Sequence, residues 1–161
     1  MIKFKKVSFD NFLKSLKDCN LSYSETEART IYDLIKLPKR STSTSAGYDF
    51  FFPFKLKTKE GKYPLGIKAY MNPENVLLLF PRSSLGMKYG FTLSNTTGVI
   101  DSDYVDNETN EGHIMIKFSC EKEIEFESDT KICQGIFINY LKTDDDIAIE
   151  KRTGGIGSTG K

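Results

Sequence analysis

Short runs of β-branched and aromatic residues, separated by turn residues, recur along most of this 161-residue chain and restrict its fold more than any other feature. Gly, Pro, Asn or Asp bound each run, and the runs are too short for amphipathic helices, which is typical of strands. Strands are predicted for residues 31–37, 76–80, 114–118, 124–126, 135–141 and 147–149. Many such runs against a single convincing helix predict an all-β fold: an antiparallel sandwich, barrel or jelly roll.

The predicted helix lies near the N-terminus. Phe9, Phe12, Leu13 and Leu16 follow the i, i+3, i+4, i+7 spacing of one apolar helical face, and Ser8 precedes them as a suitable N-cap. We expect this helix to pack against the main body and to carry no chemistry. Residues 1–30 then form an N-terminal extension of one domain spanning residues 1–161, in which no repeat or linker is evident.

Composition excludes several classes of partner. Lys and Arg total 23 against 22 Asp and Glu, a net charge of +1, which offers no electrostatic footprint for nucleic acid or an anionic membrane. No apolar run approaches the roughly 18 residues of a membrane span, and no signal peptide is evident, so a cytoplasmic protein is expected. Three scattered cysteines and one histidine, His113, argue against zinc and for reduced thiols.

The C-terminal residues 151–161 break the strand pattern. Four glycines between residues 154 and 160 predict a flexible arm whose backbone can wrap an anion. Residues 155–161 fit part of a phosphate-binding loop, but no Ser or Thr and no helix follows Lys161, so that interpretation fails. The side chains that could add donors are those of Lys151, Arg152, Ser158 and Thr159. The alternative is a disordered tail.

Two further segments carry residues suited to a nucleotide. Arg82, Ser83 and Ser84 follow Pro81 and offer a planar fork of donors beside two hydroxyls at turn positions, which suits phosphate. A solvated turn is the alternative.

In residues 95–104, Asn95 can read the edge of a pyrimidine. Asp101 follows the apolar Val99 and Ile100 and can orient a water as a general base. A hairpin whose aspartates, such as Asp103, only cap turns is the alternative.

Asp49 lies at a strand entrance after Ala46, Gly47 and Tyr48. A single carboxylate near a triphosphate suits Mg²⁺, which keeps most of its waters. Residues 131–135, which include Gln134, form a motif too weak to interpret alone.

Taken in order, these segments resemble the five signature motifs of the trimeric dUTPase family. The matching segments are residues 46–49, 81–85, 95 with 98–104, 132–134 and 154–160. Motif order and spacing are largely kept from about residue 34 to the end, and five motifs in sequence are far more specific than any one. The composition and the N-terminal addition favour a member from a phage or a Gram-positive bacterium.

The resemblance implies a homotrimer of distorted jelly rolls, with each active site built from three subunits. It implies that a β-hairpin at residues 95–104 receives uracil, that Tyr104 packs on the deoxyribose and leaves no room for a 2′-hydroxyl, and that Asp101 holds the attacking water. It implies that Asp49 holds Mg²⁺ through water. The substrate-binding residues that it implies are Arg82, Ser83, Ser84, Asn95, Gly98, Val99, Ile100, Tyr104, Met115, Gln134, Arg152, Ile156, Gly157, Ser158 and Thr159.

The activity implied is dUTP diphosphatase, the Mg²⁺-dependent hydrolysis of dUTP to dUMP and pyrophosphate by water attack on the α-phosphorus. The arm would close over a neighbouring subunit's site and exclude bulk water.

The chain departs from the family pattern at Ile156, where an aromatic is usual, and at Lys131, where arginine is usual. Arg152 is favoured over Lys151 as the arm's phosphate ligand. The acidic, Asn-rich residues 105–111 are expected to form a surface loop beside the site that could meet a protein partner; a solvated loop without function is the alternative.

Two other functions stay open at this point. A dCTP deaminase shares the fold, and ammonia release from dCTP distinguishes it, although the Gly-rich arm favours a dUTPase. A regulatory protein that binds a repressor and uses the nucleotide site as a switch belongs to a different class.

Overall fold

The computed structural model describes residues 1–150, 152, 154 and 155. The helices in this part of the chain are α1 (Phe9–Asp18), α2 (Glu25–Leu34), α3 (Ser83–Tyr89) and a 3₁₀ helix (Ser102–Tyr104). The strands are β1 (Lys3–Lys6), β2 (Lys39–Arg40), β3 (Tyr48–Phe52), β4 (Leu56–Pro64), β5 (Ile67–Tyr70), β6 (Asn75–Pro81), β7 (Thr92–Leu93), β8 (Gly98–Asp101), β9 (Met115–Phe126) and β10 (Thr130–Asn139). Within these residues, no helix has the length and apolar character needed to cross a membrane.

The strands form three antiparallel sheets. The five-stranded sheet has the order β2-β3-β10-β6-β8, the three-stranded sheet has the order β4-β9-β7, and β1 pairs with β5. This arrangement confirms the all-β prediction, as a distorted jelly roll. Within the described part of the chain β8 stands at the end of its sheet, so only one of its two edges is paired.

Aromatic side chains join the two larger sheets. Phe52 of β3 is fully buried, and its ring centroid lies 5.1 Å from that of Phe126 in β9 and 5.0 Å from that of Tyr63 in β4. Burying one such side chain contributes about 1.5–3 kcal/mol. Leu77 and Leu79 of β6 are buried in the same core. Core packing therefore holds β6, the strand with which β8 pairs.

Helix α1 forms as the apolar spacing predicts. The Ser8 hydroxyl accepts a hydrogen bond from the Asn11 backbone at 3.2 Å and so satisfies one of the free N–H groups of the first turn. Phe9, Phe12 and Leu16 are buried against the sheets.

The predicted strand at residues 31–37 is wrong, because most of it belongs to α2. Ser24 and Glu27 form a capping box: the Glu27 carboxylate accepts from the Ser24 backbone at 2.8 Å, and the Ser24 hydroxyl accepts from the Glu27 backbone at 3.3 Å. This box starts a helix that continues through Ile31 and Tyr32, both of which pack on the core. The β-branched and aromatic residues there are therefore helical.

The remaining strand predictions have mixed outcomes. Run 76–80 corresponds to β6, and run 135–141 overlaps β10. Runs 114–118 and 124–126 lie mostly within one continuous strand, β9. The strand predicted at residues 147–149 is wrong: Ile147 and Ile149 are 87% and 91% exposed, and no strand of the described residues pairs with them. An isolated extended segment gains no ladder hydrogen bonds.

Candidate active site

A cavity of about 590 Å³ opens beside β8. Its walls come from Lys62, Leu79, Leu93, Ser94, Asn95, Gly98, Val99, Ile100, Asp101, Tyr104, Met115, Ile116, Lys117 and Arg152. Eight of these are residues that the sequence assigns to catalysis or substrate binding. They are Asn95, Gly98, Val99, Ile100, Asp101, Tyr104, Met115 and Arg152. The structure thus gathers the third motif, the start of β9 and one arm residue around one space.

The register of β8 on β6 fixes how this wall is built. Gly98 pairs with Leu79, and Asp101 pairs with Val76. A Cβ atom on Gly98 would lie 3.1 Å from the Leu79 Cβ, so glycine allows the close approach of the two strands. The predicted hairpin at residues 95–104 is wrong, because β8 pairs with β6 while the preceding β7 belongs to the three-stranded sheet. The turn between β7 and β8 crosses from one sheet to the other.

Arg152 bridges two carboxylates at the cavity. Its Nη2 lies 2.6 Å from Oδ2 of Asp101, and its Nε lies 3.0 Å from Oδ1 of Asp103. The arginine side chain is only 10% exposed, whereas the Asp101 side chain is 51% exposed. The guanidinium carbon also lies 5.5 Å from the centroid of the Tyr104 ring. Asp101 is therefore within reach of solvent while a charge-assisted contact orients it.

Tyr104 is buried, and its hydroxyl both donates and accepts a hydrogen bond. The hydroxyl donates to the carbonyl oxygen of His113 at 3.0 Å and accepts from Nδ2 of Asn110 at 2.8 Å. Burial raises the pKa of this hydroxyl, against the opposing hydrogen bond from Asn110 and the charge of Arg152. The group is protonated at neutral pH, as its donation to His113 requires.

A second group of residues, the Asp49 cluster, consists of Asp49, Arg82, Lys131 and Ser41. Nη1 of Arg82 lies 2.6 Å from Asp49 Oδ1, and Nζ of Lys131 lies 2.8 Å from Oδ2, which also accepts from the Ser41 hydroxyl at 2.6 Å. Burial tends to raise the pKa of Asp49, but the hydrogen bonds from Lys131 and Ser41 and the charges of Arg82 and Lys131 outweigh it and leave the pKa lowered. The cluster carries one negative and two positive charges, which suits an anion.

The other predicted phosphate ligands adjoin this cluster. Ser83 and Ser84 are exposed and are the first two residues of α3, so the prediction that they occupy a turn is wrong. Their hydroxyls emerge where the first N–H groups of a helix point outward. Gln134 of β10 pairs with Asp49 of β3, and a Cβ atom on Gly47 would lie 2.8 Å from its Oε1.

The cavity residues around Asp101 and the Asp49 cluster lie near opposite ends of β6. Asp101 is opposite Val76, whereas Arg82 directly follows Pro81 at the far end of the strand. At about 3.3 Å per residue, the six positions from Val76 to Arg82 span about 20 Å.

The cavity also contains residues that the sequence did not indicate. Lys62 of β4 and Lys117 of β9 are register partners, and both line the cavity. The others are Leu79, Leu93, Ser94 and Ile116. Strand register brings most of them there, while Ser94 directly follows β7, and no motif marks them. Ile156, Gly157, Ser158, Thr159 and Lys151, which the sequence assigns to the arm, lie outside the described residues.

The surroundings of Asp49 do not fit a metal ion held by protein ligands. Each carboxylate oxygen is already bound by a cationic side chain. Across the described residues, no group of three or more His, Cys, Asp or Glu side chains could hold a metal. The donor set instead suits phosphate oxygens.

Residues 105–111 lie beside the cavity, as predicted, but they are only partly exposed. Asn107 and Asn110 are each 9% exposed, and Oδ1 of Asp106 lies 2.6 Å from Nζ of Lys68. The carboxylate of Glu111 accepts hydrogen bonds from the hydroxyl and the backbone N–H of Ser8. The segment is thus anchored rather than freely solvated.

Comparisons with known proteins agree with one another. The sequence model of the dUTPase family matches residues 33–160. A deoxyuridine 5'-triphosphate nucleotidohydrolase of Lactococcus lactis is 42% identical over 137 residues, which cover 78% of this chain and 89% of the relative. The crystal structure of the Streptococcus mutans dUTPase superposes with a TM-score of 0.64 at 31% identity and covers 88% of this chain and 98% of that one.

A mutant dUTPase from phage phi11 of S. aureus, described for the coordination of a structural Mg(II) ion, superposes with a TM-score of 0.62. It covers 93% of this chain and 97% of the phage protein, but at 15% identity this likeness concerns the fold alone.

Proposed function

The chain belongs to the dUTPase family, and from that membership we propose that it hydrolyses dUTP to dUMP and pyrophosphate. The observation that carries the proposal is the cavity beside β8, where Asp101 and seven other residues expected from the family resemblance meet. Each part of the nucleotide has a counterpart in the described residues.

One edge of β8 has no partner strand among the described residues, and this edge suits the base. The edge of uracil presents two carbonyl acceptors on either side of one N–H donor, and an unpaired strand edge presents N–H and C=O groups that can complement them. Val99 and Ile100 supply apolar contact, and Asn95 in the preceding turn adds an amide that both donates and accepts. Cytosine has an amino donor in place of one carbonyl and an acceptor in place of the N–H, so an edge that presents N–H, C=O and N–H in that order would favour dUTP over the deaminase substrate dCTP.

Tyr104 supports selection of the sugar. Its ring lines the cavity next to Asp101, and the hydrogen bonds of its hydroxyl prevent the ring from withdrawing. A 2′-hydroxyl beside this ring would have little room and would meet no partner. Selection of deoxyribose follows from this wall.

Asp101 serves as the general base. It takes one proton from a water molecule, the water oxygen bonds to the α-phosphorus, and the bond from that phosphorus to the bridging oxygen breaks to release pyrophosphate. The exposed Asp101 carboxylate has room for a water, and Arg152 holds its position. When a triphosphate enters, its oxygens compete with Asp101 and Asp103 for the guanidinium, which brings Arg152 onto phosphate.

A homotrimer with shared sites forms part of the proposal. Asp101 must lie at the α-phosphorus, yet Arg82 in the same subunit is about 20 Å further along β6, too far to contact the adjoining phosphates. A second subunit that brings its own Arg82, Ser83, Ser84 and Gln134 to the cavity resolves this separation. Ile156, Gly157, Ser158 and Thr159 would cover the site as part of the arm.

Magnesium dependence is proposed as a property of the bound nucleotide. Because cations occupy both oxygens of Asp49, Mg²⁺ would arrive on the triphosphate, whose charge it offsets, and Asp49 would contact it only through water. The protein residues bind and orient the phosphates through the Asp49 cluster. A protein partner at residues 105–111 remains a hypothesis, with Asp106, Glu108 and Thr109 as its exposed members.

Pyrophosphate release tests this proposal, with dUTP, dCTP, dTTP and UTP as parallel substrates and with Mg²⁺ present or chelated. We expect release from dUTP alone, and only with Mg²⁺. Ammonia release from dCTP, or equal hydrolysis of the four nucleotides, would overturn the assignment. The panel separates the base, the sugar and the metal contributions in one experiment.

A further inference from the structure

A chain of buried amides stands behind the cavity wall. Nδ2 of Asn110 donates to the Tyr104 hydroxyl at 2.8 Å, while Oδ1 of Asn110 accepts from Nδ2 of Asn107 at 2.8 Å and from the Gly112 backbone at 3.1 Å. Two donors therefore face Oδ1, so the amide can be oriented only with its NH₂ group towards Tyr104. The contact leaves the tyrosine hydroxyl with one defined partner on that side.

Asn107 closes this chain onto the backbone. Its Oδ1 accepts from the backbone N–H of Thr109 and of Asn110 at 3.0 and 3.1 Å, and its Nδ2 also donates to the carbonyl oxygen of Tyr104 at 2.7 Å. Gly112 has φ +77°, and a Cβ atom there would lie 2.6 Å from the Tyr104 carbonyl oxygen. The segment is thus folded tightly around the residue it supports.

The other partner of the tyrosine hydroxyl is anchored to the N-terminal extension. His113, whose carbonyl accepts from Tyr104, is fully buried, and its Nε2 accepts from the Gly66 backbone at 2.8 Å. The ring's Nδ1 lies 2.9 Å from the Ser15 hydroxyl and 3.2 Å from Oδ1 of Asn11, both on α1. Both hydrogen bonds of Tyr104 therefore end on groups that packing holds in place.

We propose that Asn110 is a positioning residue that fixes the Tyr104 ring against the sugar and so sets the preference for dUTP over UTP. The inference rests on the proposed function, because it assigns a specificity role within that site. Excluding one hydroxyl depends on the wall staying within a fraction of an ångström, and small displacements have large kinetic effects. A ring released from Asn110 can yield to a 2′-hydroxyl.

The ratio of kcat/KM for dUTP to that for UTP is the measurement that isolates this role. A loss of folded protein lowers both values equally and leaves the ratio unchanged. In Asn110→Ala we expect the ratio to fall by about tenfold, because the loss of one buried hydrogen bond is enough to free the ring. Glu108→Ala, an exposed change in the same segment, should keep the wild-type ratio.

A double-mutant cycle shows whether Asn110 acts through the hydroxyl. Tyr104→Phe removes the hydroxyl and should lower the ratio by a similar factor, after which Asn110→Ala should lower it little further. If Asn110→Ala does not fold, Asn110→Asp, which exchanges the donor for an acceptor, takes its place.

Three outcomes are distinguishable. An unchanged ratio in the Asn110 variants, or in Tyr104→Phe, would overturn the inference. So would an undiminished further effect of Asn110→Ala in the Tyr104→Phe background. If the wild-type protein fails to hydrolyse dUTP, the proposed function itself is wrong.

Discussion

At the scale of single residues, the pairing of Arg82 with Asp49 shapes the proposed phosphate site. Nη1 of Arg82 lies 2.6 Å from the carboxylate, and Lys131 occupies the other oxygen. A guanidinium has further N–H groups for a phosphate after it has bound one carboxylate oxygen, whereas an ammonium is a single point charge. The arginine can therefore be positioned by Asp49 and still bind substrate.

This geometry predicts the effect of Arg82→Lys. The charge remains but the planar fork is lost, so we expect KM for dUTP to rise about tenfold while the melting temperature stays near that of the wild type. Arg29→Lys on α2, remote from the cluster, is the matched control and should leave KM unchanged. Steady-state pyrophosphate release gives KM, and an unaltered KM in Arg82→Lys would remove this arginine from the phosphate site.

The residues of the Asp49 cluster mark a limit of what the sequence can indicate. The motifs indicated Asp49 and Arg82 individually, but Ser41 carried no signal and Lys131 was known only as a substitute for arginine. The pairing of β10 with β3 brings Lys131 to Asp49 across more than eighty residues of sequence. Such a contact depends on register, which local patterns do not determine.

At the scale of elements, helix α1 is joined to the sheets through His113. Burial lowers the pKa of His113 to about 3, against the opposing influence of Glu111, because Gly66 and Ser15 enclose a neutral ring. An unfolded chain would protonate this histidine near pH 6.5. The contribution of the neutral, buried His113 ring to folding stability is therefore complete above about pH 6.5. It is lost progressively as the pH falls towards 3.

A pH-dependent stability follows from His113. Between pH 7 and pH 5 the free energy of unfolding should fall by about 2 kcal/mol, since the unfolded state gains a proton that the folded state excludes. Urea unfolding at fixed protein concentration measures it. His113→Gln should be less stable at pH 7 but nearly independent of pH in this window. A wild-type profile that is flat from pH 7 to pH 5 would contradict a buried neutral histidine.

Two glycines, one in a strand and one in a helix, are expected to respond in opposite ways to substitution by alanine. A Cβ atom on Gly135 in β10 would lie 2.7 Å from Cε2 of Phe50 and 2.9 Å from Cδ1 of Leu77, so Gly135→Ala should destabilise the protein by about 1–3 kcal/mol. A Cβ atom on Gly86 in α3 meets nothing closer than 3.8 Å, so Gly86→Ala should stabilise by about 0.5–1 kcal/mol. Thermal unfolding of the two variants measures both changes in stability. Equal effects would contradict the close packing around Gly135.

Elements that local sequence signals determine were easier to predict than elements that depend on contacts distant in sequence. Helix α1 and strand β6 followed directly from apolar spacing. Helix α2 was missed because β-branched and aromatic residues near its end outweighed a local signal, the Ser24–Glu27 capping box. The segment around β8 was predicted as a hairpin, and its true partner, β6, is set by the sheet topology rather than by the turn.

At the scale of the whole molecule, the proposal of shared sites rests on the separation between two groups of residues. About 20 Å of β6 separates the level of Asp101 from Arg82. Sequence resemblance implied shared sites, and the strand register supplies a physical reason to propose them.

Mixed trimers test whether sites are shared. Asp101→Asn and Arg82→Ala are each expected to be nearly inactive, yet trimers co-assembled from equal amounts can combine an intact Asp101 from one subunit with an intact Arg82 from another. Random assembly should then restore about a quarter of the wild-type activity. Trimers mixed after assembly, without exchange of subunits, are the control. Absence of any recovery in well-mixed trimers would place both residues in one subunit's site.

The most direct test of the account is the turnover of Asp101→Asn. The variant keeps the size of the side chain and removes the base, so dUTP binding measured by calorimetry should persist while pyrophosphate release falls by about 10²–10⁴-fold. That combination would confirm Asp101 as the group that activates water in the cavity beside β8. Turnover near that of the wild type would contradict the central claim.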